Sequence, residues 1–147
     1  MRSGYSKSVV AFLAMLAFAA PVALRAADAA AKPGKHRMVM QVSDGDAARW
    51  NLALNNVENV QAELGPANVE VEVVAYGPGI GMLKMDSSVG PRIADALKHG
   101  VRVVACENTM EKQKLAKADM LPAIDYVRAG VVELIERQRD GFAYIRP

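Results

Sequence analysis

Cys106 is the only cysteine in a chain of 147 residues. It closes the apolar run Val101-Arg102-Val103-Val104-Ala105 and stands just ahead of the polar Glu107-Asn108-Thr109. That arrangement predicts one thiol at the carboxyl end of a buried strand, where open α/β sheets gather their chemistry. A lone thiol cannot close a disulfide within its own chain. Redox or transfer chemistry must then run through a persulfide, a mixed disulfide or a sulfenic acid.

The thiolate is the reactive form, and a helix N-terminus with free backbone N–H groups favours it. Asn108-Thr109-Met110-Glu111 has the form of an N-cap with a glutamate at N3, so a helix is expected to open just after the thiol. Glu107 opposes ionisation if its carboxylate lies close. The other reading of Cys106 is a small buried apolar residue finishing a strand, which is common for free cysteine. On the residues alone both readings stay open.

Other chemistries find less support. A cysteine hydrolase needs a base, and the histidines are His36, expected at the start of the first strand, and His99, expected at a helix C-terminus. Neither position suits a Cys-His dyad. One cysteine, two separated histidines and Asp44-Gly45-Asp46 make no recognised metal-ligand spacing, and the aspartates read as turn and cap residues. No cofactor is implied. Gly77-Pro78-Gly79-Ile80-Gly81 lacks the lysine and spacing of a nucleotide loop. It reads as a tight turn whose Gly77, Gly79 and Gly81 could also wall the pocket of Cys106.

The elements that would position these residues alternate along the chain. Met38 to Val42 reads as a buried strand, and Ser43-Asp44-Gly45-Asp46 as a turn ending in an N-cap. Trp50, Leu54, Val57, Val60 and Leu64 recur at helical spacing until Gly65-Pro66. Asn51, Asn55, Asn56 and Asn59 are expected on a hydrated face or bridging to a neighbour. A strand over Val69 to Tyr76, a helix over Val89 to His99 closed by Gly100, and the strand to Cys106 follow. The helix after Cys106 is expected to run until Pro122 breaks it. Ile124 to Arg128 reads as a short extended piece, Gly130 to Arg139 as a last helix, and Phe142 to Ile145 as a final strand. This order predicts a three-layer α/β/α domain with a mostly parallel sheet of about five strands. The turns Asp44 to Asp46, Gly77 to Gly81 and Cys106 to Thr109 should then gather on one rim. Met82, Met85, Met110 and Met120 fall in or beside the loops and short helices, as gap-fillers or as oligomer contacts.

The amino terminus says where this domain works. Arg2 and Lys7 precede the apolar stretch Val9 to Leu24, and small residues crowd Ala26 to Ala31. The pattern reads as a signal peptide over 1–27, then a flexible leader over 28–35 and a domain over 36–147, placed in the periplasm. An uncleaved amino-terminal segment would be the one route to a membrane. Without the leader's Arg2, Lys7 and Arg25, the chain holds 15 basic against 16 acidic residues. A near-neutral chain with 5% aromatic residues argues against a nucleic-acid partner.

Several stretches together carry a resemblance. Val73-Val74-Ala75-Tyr76-Gly77-Pro78-Gly79-Ile80, Gly100 to Thr109 with its Ala-Cys-x-Asn-Thr ending, Gly130-Val131-Val132-Glu133-Leu134 and Gly141 to Pro147 resemble the DsrE/DsrF-like family. The resemblance spans about Arg37 to Pro147. It implies the three-layer α/β/α fold and homo-oligomers, trimers or hexamers. It also implies a sulfur carrier of sulfurtransferase type, a relay more than a multiple-turnover enzyme, which forms a persulfide on Cys106 and works with a donor or acceptor protein. Glu107, Asn108 and Thr109 would shape the surroundings of the thiol. The alternatives are a non-catalytic ligand-binding or assembly module of the same fold, or a thiol redox sensor.

Overall fold

A computed structural model describes residues 34–147. The signal peptide and most of the leader expected from the sequence lie outside the described residues.

Five strands form one parallel sheet in the order β4-β3-β2-β1-β5. They are β1 (His36–Val42), β2 (Val69–Ala75), β3 (Arg102–Cys106), β4 (Asp125–Val127) and β5 (Ala143–Ile145). The register sets His36 beside Val69 at the amino edge and pairs Ala75 with Ala105 and Cys106 with Val127 at the carboxyl edge. Parallel strands need crossovers, and the helices supply them. These are α1 (Ala47–Leu64), α2 (Gly90–Lys98), α3 (Glu107–Gln113) and α4 (Gly130–Arg139).

Local chemistry accounts for most element ends. The Asp46 carboxylate accepts from Ala48 N–H at 3.0 Å and caps α1. Gly65 and Gly100 take φ of 84° and 80° and end α1 and the turn after α2. Arg92 holds α1 to α2. Its guanidinium donates to Asn51 Oδ1 at 2.8 Å and Asn55 Oδ1 at 2.7 Å, and pairs with Glu58 at 2.5 Å. Asn51 and Asn55 thus bridge to a neighbouring helix, whereas Asn59 lies exposed.

Three expectations are corrected. Cys106 itself is the N-cap of α3, so strand passes into helix with no intervening turn, and Asn108 lies inside the helix. The same helix stops at Gln113, well before Pro122, because Lys114 takes the left-handed conformation with φ 57°. The glycine segment is a 3-10 helix over Gly77–Leu83, not a simple turn.

The two faces of the sheet differ. Leu54, Val57, Ile80, Met82, Leu83 and Ile93 pack on one side with the alternate side chains of β1, β2 and β3. On the other side Leu134 and Phe142 meet Val39, Val74 and Val104 beneath α4. Met82, Met110 and Met120 are buried fillers, while Met85 is 60% exposed. Among the described residues, no helix is long and apolar enough to cross a membrane.

Candidate functional site

The carboxyl rim of the sheet brings the three predicted turns together. Gly79 N–H donates to Ser43 O at 3.2 Å, tying the glycine segment to the turn after β1. The Gly77 N–H donates to the Thr109 hydroxyl at 3.0 Å, and the Gly77 carbonyl accepts from Gln113 Nε2 at 3.2 Å. Gly77 has φ 55°, a conformation that glycine adopts without strain.

The predicted glycines do not share one role. Gly77 faces α3. A Cβ at Gly79 would lie 2.7 Å from the Val42 carbonyl carbon and 2.9 Å from Ser43 Cα, so this glycine is there for backbone contact. Gly81 lies under the Trp50 ring, where an added Cβ would meet Cη2 and Cζ2 at 3.2 Å. The nearest neighbours of the last two are the end of β1 and the Trp50 ring.

Cys106 is 5% exposed, and its Sγ lies 4.0 Å from Arg128 O. It is the N-cap of α3, close to the first N–H groups of that helix, although its side chain makes no capping hydrogen bond. A second helix start adjoins it. Gly130 opens α4 so close to the thiol that an added Cβ would sit 3.3 Å from Cys106 Cβ and 3.1 Å from Tyr76 Cβ. Burial pushes the Cys106 thiol up. The Thr109 hydroxyl, then the N–H groups of Gly130, Thr109 and Asn108, outweigh burial and hold it below the ordinary cysteine value.

Thr109 can serve two partners at once. Its oxygen accepts from Gly77 N–H, which leaves the hydroxyl proton for the sulfur. Asn108 enters mainly through its backbone, whose N–H donates to Arg128 O at 3.1 Å. The Glu107 carboxylate lies 3.7 Å from Lys117 Nζ, which offsets its charge. Beside α3 runs an open groove of about 220 Å³ lined by Glu107, Met110, Glu111, Leu115, Lys117 and Arg128. Arg128 pairs with Glu111 there.

Gly130, Tyr76 and Arg128 belong to this site and were not marked by the sequence. A glycine opening an amphipathic helix was the available signal for Gly130, because a close approach is one reason to forgo a side chain. The histidines sit elsewhere. His36 begins β1 at the opposite rim, and His99 caps α2 with its Nδ1 2.9 Å from Asp95 O. Among the described residues no three His, Cys, Asp or Glu side chains are grouped to hold a metal ion.

The comparisons bear on the fold and the family. MTH1491 of Methanobacterium thermoautotrophicum, a protein of unknown function, superposes with a TM-score of 0.74 at 36% identity, over 77% of this chain and 100% of its own. BT1422 of Bacteroides thetaiotaomicron, a conserved protein also of unknown function, gives 0.60 at 15% identity, over 76% of this chain and 94% of its own, and so shows the fold alone. No curated protein matches the chain. The sequence profile of the DsrE/DsrF-like family matches residues 22–147, which takes in all five strands and the Ala-Cys-x-Asn-Thr junction at the thiol. With both sequence and sheet in agreement, this chain belongs to the DsrE/DsrF-like family.

Proposed function

We propose that the protein carries sulfane sulfur on Cys106 as a persulfide and passes it on, as a relay more than a multiple-turnover enzyme. One observation carries the reading. Its single thiol sits where two helices begin, with a hydroxyl and backbone N–H groups favouring the thiolate against the cost of burial. Membership of a family whose best-understood members are sulfur-relay subunits supports it.

The step balances without a further reagent. The Cys106 thiolate attacks the outer sulfur of a donor persulfide R–S–SH. A new S–S bond forms, the donor's own S–S bond breaks, and R–S⁻ leaves with the electron pair. The product is Cys106–S–SH. An acceptor thiolate reverses the sequence, and the sulfur moves on. The N–H groups that favour the thiolate also favour the sulfur as a leaving group when the acceptor attacks.

The amino-terminal pattern of Arg2, Lys7 and Val9 to Leu24 supports work outside the cytoplasm, in the periplasm. Self-association into a trimer or hexamer is supported by the outward side of α4, where Val131, Val132 and Ile135 are each more than half exposed. Sedimentation of the mature protein tests it.

A second reading rests on the 5% exposure of Cys106, which suits a structural thiol in a ligand-binding or assembly module. Intact mass after polysulfide treatment, beside Cys106→Ala, separates the two. A sulfur-sized adduct that needs Cys106 and falls to reductant supports the carrier. A thiol that stays unmodified until the protein is denatured sinks it. Ready sulfenic-acid formation without persulfide uptake would identify a redox sensor.

A further inference from the structure

Glu72 is the only buried charged residue among those described, at 2% exposure, and the thiol chemistry makes no direct use of it. It projects from β2 toward α4. Its Oε2 lies 2.8 Å from Arg102 Nη1 of β3 and 2.7 Å from Arg137 Nε of α4. Glu133 Oε1, in the first turn of α4, takes the same two nitrogens at 2.9 and 3.0 Å. Two carboxylates and two guanidiniums from three elements thus close a ring. Arg102 extends it to Asp125 of β4 at 2.8 Å, and Arg137 extends it to Asp140 at 3.6 Å.

Such a ring is a costly way to gain stability alone. Glu72 Oε1 is buried with no hydrogen-bond partner among the described residues. An apolar side chain of similar size would seat a helix on a sheet at no such cost. What the ring supplies is direction, because two guanidiniums that each bridge the carboxylate of β2 and the carboxylate of α4 fix where the helix lies along its axis. Glu133 is one turn from Gly130, and Gly130 meets Cys106 and Tyr76 at the limit of close packing. A small slide or lift of α4 would carry the Gly130 N–H away from the sulfur.

We propose that Glu72 is a positioning residue for Cys106, holding Glu133 and Arg137 so that the first turn of α4 stays against the thiol. This rests on Cys106 being the working thiol of the carrier.

The sign of the effect makes the test specific. Removing an acidic charge would, by Coulomb interaction alone, make the thiolate easier to form. Loss of positioning makes it harder. Thiolate absorbance and iodoacetamide alkylation are followed against pH in the mature protein, in Glu72→Leu and in Glu72→Gln, with circular dichroism and thermal melting beside them. The expected result is a folded Glu72→Leu whose thiolate midpoint moves upward and whose alkylation near neutral pH slows about 3- to 10-fold. Glu72→Gln keeps the shape and is expected to shift the same way by less. It decides the matter if Glu72→Leu does not fold. An unchanged or lowered midpoint in the folded variant overturns the proposal. Polysulfide loading of the unmutated protein is scored separately, so a failure of the carrier reading is told apart from a failure of positioning.

Discussion

The Gly77 N–H and the Thr109 hydroxyl meet at 3.0 Å, and through this bond the segment after β2 orients the side chain that faces Cys106. With its oxygen occupied by that donor, the hydroxyl has its proton to give to the sulfur. Thr109 is itself only 9% exposed, so little water competes for either partner.

Thr109→Val keeps the volume and removes the hydroxyl. Its thiol is expected to titrate higher than in the unmutated protein, with alkylation near neutral pH slowed by up to about tenfold, the effect of about one pKa unit. The mutation also leaves the part-buried Gly77 N–H unpaired, at about 1–3 kcal/mol. Thr109→Ser is expected to restore the thiol titration. Thiolate absorbance against pH and thermal melting read the two effects separately.

Cys106 alkylation is expected to follow a midpoint below that of free cysteine, since the Thr109 hydroxyl and the N–H groups of Gly130, Thr109 and Asn108 outweigh burial. The native thiol ionises before the unfolded one. The corresponding stability is therefore fully present above the unfolded value and is lost as pH falls through the native midpoint. Denaturant melts of the unmutated protein and Cys106→Ala across that window measure the difference. Equal pH slopes in the two would refute the account.

Gly130→Ala places a methyl 3.1 Å from Tyr76 Cβ and 3.3 Å from Cys106 Cβ. The strand end or the helix must give. The expectation is a loss of about 1–3 kcal/mol together with a raised thiol midpoint. A variant that melts normally and alkylates at the unmutated rate would show that this approach is not tight.

Gly79→Ala meets backbone instead of side chain, with the Val42 carbonyl carbon at 2.7 Å and Ser43 Cα at 2.9 Å. Backbone cannot turn aside as a side chain can. Severe destabilisation, at about 3 kcal/mol or more, is expected from urea melts. Gly81→Ala, which meets the Trp50 ring at 3.2 Å, is expected to cost less because the ring can shift.

Arg92→Met removes the links to Asn51, Asn55 and Glu58 far from the thiol. The expected loss is about 1–2 kcal/mol in thermal or urea melts, with the Cys106 titration unchanged. A shifted thiol midpoint would tie the α1 and α2 side to the site.

Much of this arrangement was legible in the sequence because it is local. The run ending at Cys106 shows a strand, the spacing from Trp50 to Leu64 shows a helix, and Gly130 marks the start of α4. What escaped is what distant segments do to one another. Glu70 and Glu72 alternate with valines and read alike, yet α4 covers Glu72 and leaves Glu70 exposed beside Arg37. Asn108 looked like the cap because asparagine is a common one and cysteine is not. That the first residue of α4 would land on Cys106 depends on how a whole helix is laid across the sheet.

The unequal faces of the sheet bear on how a reagent reaches the sulfur. The α4 side is held by a small apolar group, Val39, Val74, Val104, Leu134 and Phe142, together with the ring of Glu72, Arg102, Glu133 and Arg137, while the other side carries the larger share of the core. Any lifting of α4 must therefore break that ring as well as open the apolar contact. Lifting uncovers Cys106 and at the same moment withdraws the Gly130 N–H. Access and ionisation thus work against each other in the free protein, and a partner that unloads sulfur gains by approaching along α3 with α4 left in its place.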